Sequence, residues 1–151
     1  MKKTALFFLL CFFVVPSFAD EGLITVKSRF KVAHTTDRFI GVVQKNGLHV
    51  FSHINHSEGA EKAGLKLRPT ELVIFGNPKL GTPLMQCSPT LGIDLPQKLL
   101  IWQDENEQTW MTYNNPVYIA DRHHLNADCR GNLNKIANAL ANFTKLAGDA
   151  E

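Results

Sequence analysis

Three of the six histidines stand close together in the segment HVFSHINH, at positions 49, 53 and 56. An imidazole can bind a transition metal or transfer a proton near neutral pH. An extended strand would place His49 and His53 on one face but about 13 Å apart, which is too far for one ion. No cysteine or carboxylate stands at a recognisable ligand spacing, so the sequence predicts no metal site. Histidines that face solvent or cap loops are favoured over a zinc or copper site.

A larger set of polar side chains stands mostly at the ends of predicted helices and strands. Such residues can line a ligand pocket at the edge of a sheet, or they can form a structural network of ion pairs and caps. The residue types leave both interpretations open. No Ser/His/Asp order or nucleophile elbow is present, so the catalytic residues are unknown and the sequence does not decide whether the protein is an enzyme. The candidate ligand-binding residues are His56, Arg68, Glu71, Asn77, Thr82, Asp94, Tyr113, Asn114, Arg122 and His123.

Residues 1–19 have the pattern of a secretory signal peptide. Lys2 and Lys3 precede an apolar run over residues 5–15, and Ser17 and Ala19 are the small residues of a cleavage site. The run is shorter than a membrane span, which makes an uncleaved anchor the less favoured alternative. We expect cleavage after Ala19, a periplasmic or secreted mature protein, and no stable membrane anchor.

The charge balance argues against nucleic acid as a partner. Removing residues 1–19 takes away two lysines and no acidic residue, so the 16 basic residues fall to 14 and equal the 14 acidic ones. No run rich in lysine or arginine occurs later in the chain. A mature protein without net charge lacks the electrostatic footprint of a nucleic-acid-binding domain.

Two cysteines remain after the signal peptide, Cys87 and Cys129. Exported proteins mature in an oxidising compartment, where a pair of cysteines favours a disulfide. A Cys87–Cys129 bridge would tie the C-terminal segment to the middle of the domain. The alternative is two separate thiols, one of them buried as a small apolar side chain.

The segment GNPKLGTPLMQ follows the apolar stretch ELVIF and contains two glycines and two prolines. A phosphate-binding loop would need lysine immediately after its second glycine, where Thr82 stands. Two successive corners explain the composition better: a turn at Asn77 and Pro78, then a short helix capped by Thr82 with Pro83 at its first position. A capped helix start at this place could accept an anion.

The remaining pattern predicts an α+β domain with five strands, a long helix near each end and a loop-rich middle. The stretch ELVIFG lacks polar alternation, so we expect a central strand in which Leu72, Val73, Ile74 and Phe75 are all buried between two covering layers. The other predicted strands are LITVKSRF, LHVFSHI, LLIWQ and TWMTY. The predicted helical segments are HTTDRFIGVVQKNG with Thr35 or Thr36 as its cap, NHSEGAEKAGL as a short turn, NNPVYIADRHH with Asn115 as its cap, and GNLNKIANALANFTKLA as an amphipathic tail helix.

Several of these segments together resemble the DUF302 family, a domain of unknown function. The similarity is carried, in order and spacing, by RPTELVIFGNPKLGTPLMQ, GIDLPQK, IWQDE and YNNPVYIADRH. The similarity covers roughly residues 24–124, and the tail helix after Cys129 lies outside the core pattern. An exported chain with a cysteine at position 87 resembles a subgroup of the family. The resemblance implies one domain over residues 20–151 with a β-α-β(4)-α arrangement, like one half of TATA-binding protein, and a homodimer. The family has no established catalytic residues, so the resemblance transfers no mechanism and the cofactors are unknown. The architectural likeness carries no DNA binding.

These observations favour an exported domain that binds a small molecule or ion in a pocket between sheet and loops. One alternative is an uncharacterised enzyme that uses His56 or His123 for acid–base chemistry. Another is a protein-interaction module without a small ligand. An open, polar pocket would favour the first two, whereas a closed polar network with a large apolar dimer patch would favour the third.

Overall fold

The computed structural model describes residues 22–149, so the predicted signal peptide lies outside the described residues. Within these residues, every helix is too short or too polar to span a lipid bilayer. The strands are β1 (Leu23–Ser28), β2 (His49–Asn55), β3 (Thr70–Gly76), β4 (Gln97–Gln103) and β5 (Thr109–Asn114). The α-helices are α1 (Val32–Lys45), α2 (His56–Lys62), α3 (Pro78–Cys87), α4 (Pro116–Arg122) and α5 (Ala127–Gly148), and a short 3-10 helix spans Pro89–Ile93.

The five strands form one antiparallel sheet in the order β1-β5-β4-β3-β2. The two long helices, α1 and α5, stand near the two ends of the chain. The predicted fold class, a single α+β domain with five strands and an amphipathic C-terminal helix, is therefore confirmed.

The main core lies between one face of the sheet and helices α1 and α5. Phe39 of α1 meets Phe75 of β3 edge to face, with ring centroids 5.0 Å apart. Both rings are fully buried, and Leu140 and Phe143 of α5 belong to the same cluster. Buried aromatic pairs of this kind stabilise a core beyond their area alone, so this face fixes the position of both helices.

The opposite face of the sheet is less covered than the sequence predicts. Val73 and Phe75 are fully buried, but Leu72 and Ile74 are half-buried. Among the described residues, neither Leu72 nor Ile74 belongs to an apolar core cluster. The prediction that all four side chains are buried between two layers is therefore wrong, because α1 and α5 cover one face of β3 and its alternate residues point to the other face.

Strand β2 contains a bulge that the alternating pattern does not show. Val50 pairs with Phe75 and Ser52 with Ile74, so Phe51 has no partner in the ladder. A bulge inserts one residue and reverses the faces of those that follow. His49 and His53, which pair with Gly76 and Val73, therefore lie on opposite faces of the sheet, and the prediction of a shared face is wrong.

Two predicted helix starts are also wrong. Helix α1 begins at Val32, so Thr35 and Thr36 lie buried inside it, where Thr35 Oγ1 lies 2.7 Å from Ser28 Oγ. Helix α3 begins at Pro78, with the Asn77 side chain accepting a hydrogen bond from the Lys79 amide.

Thr82 and Pro83 consequently lie within α3 and do not start it. Asparagine caps as well as threonine does, and a proline directly after it is favoured at the first helical position. The predicted cap at Asn115 is confirmed, since its side chain accepts a hydrogen bond from the Val117 amide.

A second, smaller core joins α3, α4 and α5. Leu84, Leu91 and Leu133 are buried in it. The predicted disulfide between Cys87 and Cys129 is present beside this cluster, with 6.4 Å between the Cα atoms. It connects the last residue of α3 to the first turn of α5 and so holds the middle of the chain to its C-terminal helix.

Candidate functional site

A pocket of about 290 Å³ lies at the end of the sheet where β3 runs into α3. Helix α3 forms one side of it and helix α5 another, while the floor comes from Phe75 and Gly76. The volume is at the lower limit of known small-molecule sites. The pocket therefore has room for a compact ligand.

Most of the pocket lining is apolar. A cavity of this kind attracts an apolar group, because filling it removes hydrocarbon surface from water. The apolar side chains that line it are Leu48, Phe51, Phe75, Pro78, Leu80, Met85, Leu95, Pro96, Ile136, Ala139, Leu140 and Phe143. The sequence analysis expects a ligand-binding pocket to be open and polar. The pocket in the structure is open but mainly apolar.

Local sequence features bring these side chains to the pocket. The bulge in β2 lies at Phe51, which lines the pocket and is 52% exposed. Bulges commonly redirect a side chain next to a functional site. On α3, Leu84 is buried in the second core, whereas Leu80, one turn earlier, lines the pocket and is 46% exposed. A single helix therefore serves both the core and the pocket.

Four polar residues line the same pocket: Asn77, Thr82, Gln97 and Lys135. Asn77 and Thr82 belong to the set predicted from the sequence, and the structure brings these two together. Gln97 and Lys135 are not in that set. Lys135 directly precedes Ile136 on the apolar stripe of α5, but its place beside α3 depends on how the two helices pack, which no local pattern predicts.

Asp94, Arg122 and His123 come together elsewhere. His123 Nε2 donates to Asp94 Oδ2 over 2.6 Å, and Arg122 Nη1 donates to Asp94 Oδ1 over 3.3 Å. His123 Nδ1 lies 2.8 Å from Thr90 Oγ1. A neutral ring that donates from Nε2 leaves Nδ1 to accept the Thr90 hydroxyl proton. The arrangement can move a proton, although the His123 side chain is only 5% exposed.

The remaining predicted residues do not share one cavity. Glu71 is buried and bonds to His53, with 2.8 Å between Oε2 and Nε2. Arg68 lines a second, shallow cavity at the β4–β5 hairpin. His56 begins α2 and is exposed.

Tyr113 and Asn114 stand near the end of β5. Tyr113 lies in the main core, where burial raises the pKa of its phenol and a hydrogen bond with Thr144 acts in the opposite direction. Asn114 is paired with Leu23 of β1. Arg68 and Glu71 lie at the start of β3, whereas Asn77 and Thr82 follow its end, so the two pairs are separated by the length of one strand and the predicted set does not line a single cavity.

The shallow cavity contains a tightly bonded carboxylate. Trp110 Nε1 donates to Asp104 Oδ2 over 2.8 Å, and the amides of Asn106 and Gln108 donate to Oδ1. The pKa of Asp104 is lower than its usual value, mainly because of the hydrogen bond from Trp110. Within residues 22–149, no group of three or more His, Cys, Asp or Glu side chains is placed to hold a metal ion.

The fold matches that of a solved protein. A crystal structure of an uncharacterized conserved DUF302 protein from Bacillus stearothermophilus superposes with a TM-score of 0.75 and 19% sequence identity. The match covers 84% of this chain and 98% of the other. At this identity the similarity establishes the fold.

Curated relatives come from Brucella. A protein named "Fluoride-specific ion channel FluC 1" from Brucella suis biovar 1 is 42% identical over 131 residues, which is 87% of this chain and 52% of the relative. The protein of the same name from Brucella abortus biovar 1 gives the same identity and covers 48% of that relative. This chain thus spans about half the length of the curated relatives that it matches.

The sequence profile of one family also matches the chain. The match runs over residues 24–143 and includes most of α5, so the expectation that the tail helix lies outside the family pattern is wrong. Since the profile covers most of the chain, this protein belongs to the family described as "Domain of unknown function DUF302".

Proposed function

We propose that this protein is an exported domain that binds a small, largely apolar molecule in the pocket between α3, α5 and the end of β3. The observation that supports this most strongly is the apolar pocket itself, about 290 Å³ in volume and open to solvent. A soluble domain gains stability by closing apolar surface, so an apolar cavity held open beside a well-packed core favours a ligand as its occupant.

Export is the second part of the proposal. It rests on the signal-peptide pattern of residues 1–19 and on the Cys87–Cys129 disulfide. Disulfides persist mainly in oxidising compartments. A periplasmic or secreted location agrees with both features.

Native mass spectrometry of protein purified from its own periplasm tests the binding proposal. We expect a bound mass that is lost on denaturation. Ala139→Phe, which adds a ring to the pocket lining on α5, should remove this mass. Ala141→Phe is the matched control, because Ala141 is exposed on the same helix. Protein that is always recovered without a bound mass, or an equal loss in both variants, would contradict the proposal.

The Brucella relatives suggest a setting for this function. A segment 42% identical to this chain accounts for about half of proteins named as fluoride channels. We propose that the domain acts as an accessory module near a membrane transport protein. Deleting the gene should then change growth of the host in fluoride-containing medium. Unchanged growth over a range of fluoride concentrations would count against this setting.

A homodimer is proposed through the less covered face of the sheet. Ile54, Leu72, Leu100 and Thr112 form one row across this face. Five strands of six or seven residues give a face of roughly 500 Å² from standard strand spacings. This is somewhat less than the roughly 800 Å² that each partner buries in a typical stable interface. Trp102 and Trp110, both half-buried, pair with each other across β4 and β5 and enlarge this face, so we expect a dimer with a small interface.

The contact of His123 with Asp94 and Thr90 favours an acid–base enzyme as the second candidate function. The Asp94 carboxylate orients the His123 imidazole, and the other ring nitrogen faces the Thr90 hydroxyl. In enzymes, this arrangement allows a histidine to take a proton from a hydroxyl group. A fluorophosphonate probe should then label Thr90 in the parent protein and leave His123→Asn unlabelled. Absence of labelling in both proteins would contradict a Thr90 nucleophile activated by His123.

A further inference from the structure

Among the described residues that line the pocket of the proposed function, Lys135 is the only ionisable side chain, and its charge is positive. Lys135 is exposed on α5 and is followed by Ile136, which faces the pocket. A lysine at such a place can lay its apolar stem along the rim and keep its ammonium group at the mouth.

Lys135 has no acidic partner on its own helix. The residues three and four positions away are Gly131, Asn132, Asn138 and Ala139, so the spacing that pairs charges along a helix offers no carboxylate. Among the ion pairs of residues 22–149, none includes Lys135.

Two basic residues on helices of this domain show the kind of pairing that Lys135 lacks. Lys62 bonds to Glu58 on α2, and Arg130, also on α5, bonds to Asp121. The ammonium group at the pocket is therefore available to a ligand.

Two neutral donors line the pocket away from α5. Thr82 lies on α3 and Gln97 begins β4. In the described part of the chain, neither side chain is engaged in a hydrogen bond to another protein group. A hydroxyl and an amide can both donate to an oxyanion, and hydrogen bonds to a charged acceptor are stronger than neutral ones.

We propose that the pocket selects an amphiphile with one oxyanion group and a compact apolar body, a carboxylate being the simplest case. The apolar lining takes the body, and Lys135 with Thr82 or Gln97 takes the head group. A volume of about 290 Å³ corresponds to about ten non-hydrogen atoms if each takes roughly the 30 Å³ of a liquid water molecule. This inference rests on the proposed function, since it names the ligand class of the same pocket.

Isothermal titration calorimetry with three probes of one chain length tests the ligand class. Octanoate, octan-1-ol and octylammonium share an apolar body and differ in the charge of the head. We expect octanoate to bind at least tenfold more tightly than octan-1-ol, and octylammonium to bind most weakly. In Lys135→Met the affinity for octanoate should fall at least tenfold, while the affinity for octan-1-ol stays within twofold.

Lys145→Met is the matched control, because Lys145 is exposed on the same helix and does not line the pocket. It should leave the affinities of all three probes unchanged. Equal affinity for octanoate and octan-1-ol, or an octanoate affinity that Lys135→Met does not alter, would overturn the ligand class and leave pocket binding intact. Failure of all three probes to bind at millimolar concentration would overturn both proposals.

Discussion

Cys87 and Cys129 join the two helices that face each other across the pocket. Their Cα atoms are 6.4 Å apart, with Cys87 ending α3 and Cys129 in the first turn of α5. Helix α3 supplies Leu80 to the pocket and helix α5 supplies Ile136. The disulfide therefore limits how far the two sides of the pocket can separate.

Removing the disulfide should destabilise the domain and weaken pocket binding together. The bridge spans 42 residues of sequence, for which chain entropy gives about 4 kcal/mol of stabilisation. We expect Cys87→Ala/Cys129→Ala to lower the free energy of unfolding by 2–4 kcal/mol on this scale. Urea denaturation measures the change, and thiol titration of unfolded, unreduced parent protein should find no free thiol. Two reactive thiols per chain in the mature parent protein would contradict the disulfide.

Substituting two leucines of α3, one at a time, should distinguish a residue that stabilises the core from one that contributes to ligand binding. Leu84 is fully buried, so Leu84→Ala should lower the free energy of unfolding by about 2–5 kcal/mol through the cavity that it leaves. Leu80 is 46% exposed and lines the pocket, so Leu80→Ala should cost about 1 kcal/mol or less and mainly weaken probe binding. Denaturation and octanoate titration of both variants check this. Equal stability losses would show that Leu80 belongs to the core.

The pKa of Asp104 should depend on the hydrogen bond that the Trp110 indole donates to its carboxylate. This hydrogen bond lowers the pKa of the carboxyl below its usual value. A group whose folded pKa is lowered adds stability above its unfolded pKa and loses that contribution as the pH falls through the folded pKa. The indole N–H resonance of Trp110 should therefore shift in acid, at a midpoint below that of a free aspartate.

Trp102 serves as the internal control for this titration, because its indole donates to Thr112 and not to a carboxylate. Its resonance should stay constant through the same pH range. Asp104→Asn should abolish the titration of Trp110. A Trp110 resonance that still titrates in this variant would assign the effect to another group.

The proposed dimer depends on the apolar row across the open face of the sheet. Leu100 lies in this row between Leu72 and Thr112, so Leu100→Glu should convert a dimer into a monomer by placing a charge at the centre of the contact. Light scattering coupled to size-exclusion chromatography measures the mass. Leu65→Glu is the control, because Leu65 is already 67% exposed and lies outside the sheet. A parent protein that remains monomeric at high concentration would refute the dimer.

The features that the sequence predicts correctly are those fixed by neighbouring residues or by the number of cysteines. The apolar alternation and stripes predict the five strands and both long helices, and Asn115 followed by Pro116 predicts the start of α4. The disulfide is predictable because Cys87 and Cys129 are the two cysteines outside the predicted signal peptide. None of these requires knowledge of how distant segments pack.

The features that the sequence does not predict depend on tertiary contacts. The bulge at Phe51 shows only in the pairing of β2 with β3, and it decides both the separation of His49 from His53 and the place of Phe51 at the pocket. The pocket itself is made by helices far apart in sequence, so Lys135 carries no local sign of its role. The candidate binding residues predicted from the sequence are polar side chains at the ends of helices and strands. The pocket, in contrast, is lined mainly by apolar side chains of the kind that also fill a core.

Methyl-group NMR during a titration with octanoate tests the central claim most directly. Binding in the pocket should shift the methyl resonances of Leu80, Ile136 and Leu48 in a saturable way. The resonances of Leu72 and Ile74, on the open face of the sheet, should stay in place. Saturable shifts at Leu72 and Ile74, or none at the pocket methyls, would contradict the assignment of this pocket as the ligand site.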